Sequence, residues 1–114
     1  MKLSNIIDNL CLQKILFDSD IEIKAGYSGD LMSDVIANAF PDSIWITIQA
    51  HRNSIAVALI KEIKAIIFTN NIEINKDLIE KAKEENISLL RTEKNSFQIS
   101  GLLYKMLEGN SEKN

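Results

Sequence analysis

The side chains able to do chemistry are few, and most of them sit in short polar breaks. His51 is the lone histidine, set in Gln49-Ala50-His51-Arg52-Asn53. There an imidazole contacts an anion or carries a proton, or simply sits beside a helix start. Asp30 and Asp34, one helical turn apart, would need His51 to make a divalent-cation set. No cysteine or further histidine accompanies them, and Asp30 is explained as a helix N-cap. No metal and no cofactor is therefore assigned.

Nucleophilic catalysis needs a nucleophile, a base and an orienting group. No serine near His51 lies in a G-x-S-x-G elbow. The four glycines, Gly26, Gly29, Gly101 and Gly109, make neither a phosphate loop nor a dinucleotide fingerprint. Cys11, between Leu10 and Leu12, reads as a buried packing residue rather than a thiolate. A single cysteine forms no intramolecular disulfide and holds no iron–sulfur cluster within a monomer. The expectation is a protein that is not an enzyme.

The elements that position these residues follow from periodicity. Leu3, Ile6, Ile7 and Leu10 share one helical face, with Ser4 placed to cap it. Ile15-Leu16-Phe17 is a short apolar run fit for a first strand. Ile21, Ile23 and Ala25 alternate with Glu22 and Lys24 as a half-exposed strand, which Gly26-Tyr27-Ser28-Gly29-Asp30 then breaks. Asp30 would cap a helix over Leu31–Ala39, stopped at Phe40-Pro41. Ile44–Ile48 is a strong strand, with Trp45 in the core. A helix over Ser54–Glu62 and a doubly buried strand over Ala65–Thr69 come next. Asn75 caps a helix over Lys76–Glu85, with Leu78, Ile79 and Ala82 inward and Asp77 and Lys81 on the wet side. Ile87–Arg91 is a further strand. Asn95 or Ser96 opens the last helix, where Phe97, Gly101 and Tyr104 share a face and Gly101 permits close approach of a neighbour. Gly109-Asn110 reads as its stop.

Strands alternating with helices of about ten residues imply an α/β fold. We expect a single domain over residues 1–109, a mainly parallel sheet of about four to five strands flanked by helices, and a disordered polar tail over 110–114. Ligands of such sheets sit beyond the strand carboxyl ends. The residues expected there are Gly26, Ser28 and Asp30; Gln49, His51, Arg52 and Asn53; Thr69 and Asn70; and Thr92. Beside helix N-termini they favour a small anion such as phosphate or carboxylate.

The totals narrow the partners. The 114 residues are 46% hydrophobic and 25% charged, with net charge −3, so no basic field attracts nucleic acid. Apolar runs such as Ile55–Ile60 are too short for a bilayer, and no signal peptide is legible. A cytoplasmic protein, with no membrane and no nucleic-acid partner, is expected. Apolar content in Gly101–Leu107 and the small Ala56/Ala58 face predict a homodimer.

Three segments carry a family resemblance: Gly26-Tyr27-Ser28-Gly29-Asp30-Leu31-Met32-Ser33-Asp34-Val35, Trp45–Asn53, and Leu89-Leu90-Arg91-Thr92 followed by Phe97. Along nearly its whole length the chain resembles the DRTGG-domain family, most closely the small stand-alone members, some of them labelled as hydrogenase-associated or iron–sulfur proteins and others as serine kinases. Longer relatives carry the domain beside a phosphotransacetylase catalytic domain or upstream of an HPr kinase domain. The resemblance implies a non-catalytic regulatory or ligand-sensing unit that binds a small anionic metabolite or nucleotide. The alternative is a dimerising accessory module of a larger metabolic or redox enzyme. The glycine-rich Asp-Arg turn that names the family falls on Ile48-Gln49-Ala50-His51-Arg52. Ungapped pairing puts His51 at the arginine position and Asn53 at the following acidic one, and a shift of one keeps Arg52 as the arginine. The family's glycines are absent there, as is the phosphate loop that a kinase requires.

Overall fold

Apolar alternation in the middle of the chain builds the sheet. A computed structural model describes the backbone of residues 1–112 and the side chains of residues 1–109. In chain order the elements are α1 (Leu3–Leu10), β1 (Gln13–Leu16), β2 (Ala25–Ser28), α2 (Met32–Asn38), β3 (Ser43–Thr47), α3 (Arg52–Ile60), β4 (Ala65–Phe68), α4 (Lys76–Glu84), β5 (Ser88–Arg91) and α5 (Ser96–Glu112). The five strands lie in the order β1-β5-β4-β3-β2. β2, β3, β4 and β5 run parallel, and β1 closes one edge antiparallel to β5.

Every residue of β3 and β4 is buried, because helices cover both sheet faces. Successive side chains point to opposite faces, so two cores form. Ile44, Ile46, Ala65, Ile67 and Leu90 pack under α1 and α5. Trp45, Ile66, Phe68 and Leu89 pack under α2, α3 and α4. Leu3, Ile6, Ile7 and Leu10 are the buried stripe of α1, and Leu78 and Ala82 that of α4, with Ile79 half-buried. Asn75 Oδ1 caps α4 by accepting from Leu78 N at 2.9 Å. Asn95 and Gln98 cap α5 reciprocally: Gln98 N donates to Asn95 Oδ1 and Asn95 N to Gln98 Oε1. Among the described residues no helix is long and apolar enough to cross a membrane.

Several local expectations are corrected. Ile21–Lys24 forms no strand beyond an isolated Lys2–Glu22 bridge, and the supposed break contains the strand. Ala25–Ser28 becomes β2 because it pairs in register with Ser43–Ile46. Ser4 does not cap α1. Its N–H and hydroxyl donate to the Asp20 carboxylate, each at 2.8 Å, which supplies the acceptor from outside the helix. Cys11 is exposed, since it takes the left-handed C-cap of α1 and leaves the apolar stripe. Lys81 pairs with Glu84 and Glu85 rather than Asp77. Ala58 belongs to the core and only Ala56 is exposed. α5 continues through Glu112, past the stop expected at Gly109-Asn110, and Lys113 and Asn114 of the expected tail lie outside the described residues.

Candidate functional site

The parallel strands bring Gly29-Asp30, Ile48–His51, Thr69-Asn70 and Thr92 to one rim. Most of the polar groups there hold the chain. Asp30 is not the N-cap of α2; that position is Leu31. The Asp30 carboxylate reaches across to β3, accepting from Thr47 Oγ1 at 2.9 Å and Ile48 N at 3.0 Å. Thr47 Oγ1 accepts in turn from Gln49 N, and Ser54 Oγ donates to the Gln49 carbonyl. Trp45 Nε1 donates to the Gly29 carbonyl at 2.8 Å. Thr69 and Thr92 are buried turn residues, Thr69 Oγ1 lying 3.3 Å from Ser96 Oγ and Thr92 Oγ1 accepting from Lys94 N. Asn70 and Asn71 take left-handed backbone (φ 58° and 50°) and donate their N–H groups to the carbonyls of Lys94 and Thr92. Asparagine is among the few residues that tolerate this region.

Around His51 the rim stays open. α3 starts two residues earlier than its apolar pattern suggests, so Arg52 and Asn53 form its first turn and His51 its N-cap. The His51 side chain makes no capping bond, and all three residues are exposed. Asn53 is therefore not a cap. Arg52 leans toward α4, lining a small recess with Asp77, Glu80 and Glu84. Asp34 stands apart from Asp30 and His51 in its bonding. It accepts from Tyr27 Oη at 2.5 Å and Asn38 Nδ2 at 2.9 Å. The first of these bonds pushes the Tyr27 phenol above its ordinary pKa.

Two of the ten expected residues, Gly26 and Ser28, belong to β2, which Ser28 ends at the rim. Gly26 is the second residue of β2, not a turn residue. Both line a cleft of about 390 Å³ between edge strand β2 and α5, whose other walls include Phe97, Ser100, Gly101 and Tyr104. Gly26 fits closely here: a Cβ would stand 3.1 Å from Leu103 Cδ2, so glycine lets α5 settle onto β2 without displacing that side chain. Gly101 is the reverse case, since a Cβ there meets nothing within 4 Å. The Phe97–Gly101–Tyr104 stripe was legible at helical spacing, but it faces the cleft and solvent instead of a packed neighbour. Ser100 carried no signal in the sequence, and its Oγ is buried without a partner.

A DRTGG-domain family model matches residues 28–106. The chain belongs to the DRTGG-domain family. Among curated protein sequences none matches it. Among solved structures the DRTGG fold is shared with the crystal structure of the CBS and DRTGG domains of the regulatory region of Clostridium perfringens pyrophosphatase, complexed with the activator diadenosine tetraphosphate. The TM-score is 0.70 at 20% identity, over 88% of this chain and 44% of that one. This DRTGG chain thus spans less than half the length of that neighbour, and the likeness is one of fold.

Proposed function

We propose that this DRTGG domain is a non-catalytic regulatory module that binds a small anionic metabolite or nucleotide at the strand carboxyl rim. The observation that carries the reading is the start of α3. His51 brings an imidazole to a helix N-terminus that has no side-chain cap, and Arg52 begins the first turn of that helix. Free N–H groups and the positive helix end favour an anion there. The remaining rim residues of the proposed site, Gln49, Asn53, Thr69, Asn70, Thr92 and Asp30, shape its floor, and Gly26 and Ser28 continue it into the cleft beside α5. That a structural neighbour is part of a regulatory region complexed with a dinucleotide activator supports the ligand class.

A ligand at 100 times its Kd stabilises a fold by about 2.7 kcal/mol, a shift easily read in thermal unfolding. A panel of nucleotides and phosphorylated metabolites should contain one that raises the midpoint. His51→Ala should cost less than about 0.5 kcal/mol of stability, as expected for an exposed side chain without partners. It should nevertheless weaken that ligand tenfold or more, the loss of one charge-assisted hydrogen bond. Equal affinity in both proteins would remove the rim from the site.

A second reading, self-association as an accessory module of a larger metabolic or redox enzyme, has its own observation. Ile36, Phe40, Leu59 and Ile60 are exposed where α2 and α3 meet, with Asp42 N donating to the Glu62 carbonyl beside them. An apolar patch of this kind marks an interaction surface. Sedimentation should give a dimer that Phe40→Glu converts to a monomer; a wild-type monomer at micromolar concentration ends this reading.

A further inference from the structure

We infer that the open edge of β2 and the outer face of α5 together seat a second copy of this chain, β2 pairing with its copy about a two-fold axis normal to the sheet. The inference is independent of the rim reading. It competes with the α2–α3 patch for the place where two copies meet.

The two edges of the sheet are built differently. β1 carries Lys14 and a shift of register between Lys14 and Leu16. A charge and a broken register are what keep an edge strand from pairing further. β2, Ala25-Gly26-Tyr27-Ser28, stands last in the sheet order with no charge and no proline, and its register with β3 is unbroken. One side of its backbone is left without a strand among the described residues. Antiparallel pairing of two such edges fuses two sheets into one, and the guarded β1 edges stop it from growing.

The same axis brings α5 against its copy. An axis normal to the sheet keeps both helices on one face and runs them antiparallel. α5 lies over β2 and β3. With strands about 4.8 Å apart, a helix centred between those two stands about one spacing from the axis. The two helices are then about 10 Å apart, the separation of packed helices. The face they share is Phe97, Gly101 and Tyr104, whose aromatic rings are 87% and 68% exposed. Gly101 lies between them, and a Cβ there meets nothing of its own chain within 4 Å. Antiparallel helices crossing at Gly101 set Phe97 against the partner's Tyr104, and the symmetry makes that aromatic pair twice. A residue beside a two-fold axis meets its own copy, so a charge there repels itself. No charged residue lines the cleft.

Sedimentation, disulfide trapping and hydrogen exchange of the full chain test the assignment. The wild type should be a dimer at micromolar concentration. Gly101→Glu, whose side chain enters open space in the single chain, should be a monomer with unchanged far-ultraviolet circular dichroism. Phe40→Glu should remain a dimer. With each Cα about 2.3 Å off its helix axis, facing positions of the two helices stand about 5 Å apart, within disulfide reach. Gly101→Cys, made in a Cys11→Ser background so that its thiol is alone, should therefore cross-link two chains on mild oxidation. Ile60→Cys in the same background should not. The amides of Ala25–Ser28 should exchange more slowly in the wild-type dimer than in Gly101→Glu. A wild-type monomer overturns the inference. A dimer that Phe40→Glu dissolves and Gly101→Glu leaves intact also overturns it and gives the contact to the α2–α3 patch. Equal exchange of the β2 amides in dimer and monomer overturns the strand pairing on which the geometry depends.

Discussion

The strand-end rim and the α5–β2 cleft lie side by side, yet they use polar and small residues in opposite ways. At the rim Asp30, Thr47, Ser54, Thr69 and Thr92 are bonded to the chain itself. Removing one of them takes away support, whereas the His51 side chain makes no capping bond. In the cleft Ser100 Oγ has no partner and Gly101 has no steric duty. The difference separates residues that hold a fold from residues that the fold holds out. Abundance of hydrogen-bonding side chains is a poor guide to a site when the backbone beside them has unsatisfied groups of its own.

The contrast can be broken most sharply at the two cleft glycines. Gly26→Val should destabilise by about 1–3 kcal/mol in urea unfolding, because the new side chain must displace Leu103 from a filled core. A neutral result would mean that α5 is free to shift, and the cleft with it. At the rim, Asp30→Ala should cost about 2 kcal/mol, since Thr47 Oγ1 and Ile48 N both lose their acceptor and Thr47 is fully buried. A loss below about 0.5 kcal/mol would place Asp30 with the residues held out rather than those that hold.

Gly101→Ala should act in the other direction. With no contact to break, it should stabilise by about 0.5–1 kcal/mol through helix propensity alone. A destabilised Gly101→Ala protein would mean that the glycine serves packing after all.

The smallest effect belongs to the α1 end and serves as a control that touches neither region. Asp20 accepts from Ser4 N and Ser4 Oγ, in that order of influence, and its carboxyl is held below the ordinary value. A depressed folded pKa contributes stability above the unfolded value of about 3.9, and the contribution is lost as pH falls through the folded pKa. Urea midpoints measured from about pH 5 down to about pH 2 should therefore fall less in Ser4→Ala than in the wild type. Parallel curves would show that the Ser4 Oγ–Asp20 bond does not form.

Much of the architecture was legible in the sequence because local periodicity and tertiary burial agree there. Ile44–Ile48 and Ala65–Thr69 alternate or run apolar as strands buried on both faces must; β4 lies within the second, and β3 overlaps the first, starting one residue earlier at Ser43. Asn75 and Asn95 cap helices within three residues of their own position, so a local rule sufficed. Phe97, Gly101 and Tyr104 were correctly placed on one helix face, but helical spacing says which residues share a face and not what that face meets.

Tertiary structure decided the rest, wherever a residue's partner is distant in sequence. Gly26-Tyr27-Ser28 has turn composition and becomes a strand only through its ladder with β3. Asp30 stands next to a helix start, as a cap should, yet its acceptor capacity goes to residues 17 and 18 positions away. Arg52 and Gln49 are neighbours in sequence, but Arg52 leans toward the acidic side chains of α4 while Gln49 is tied to Ser54. The sequence by itself determined the helices and the central strands and their order, because those follow from short-range sterics and hydrophobic period. Which small and polar residues are consumed by the fold, and which remain free to bind, depended on the surfaces that packing brought together.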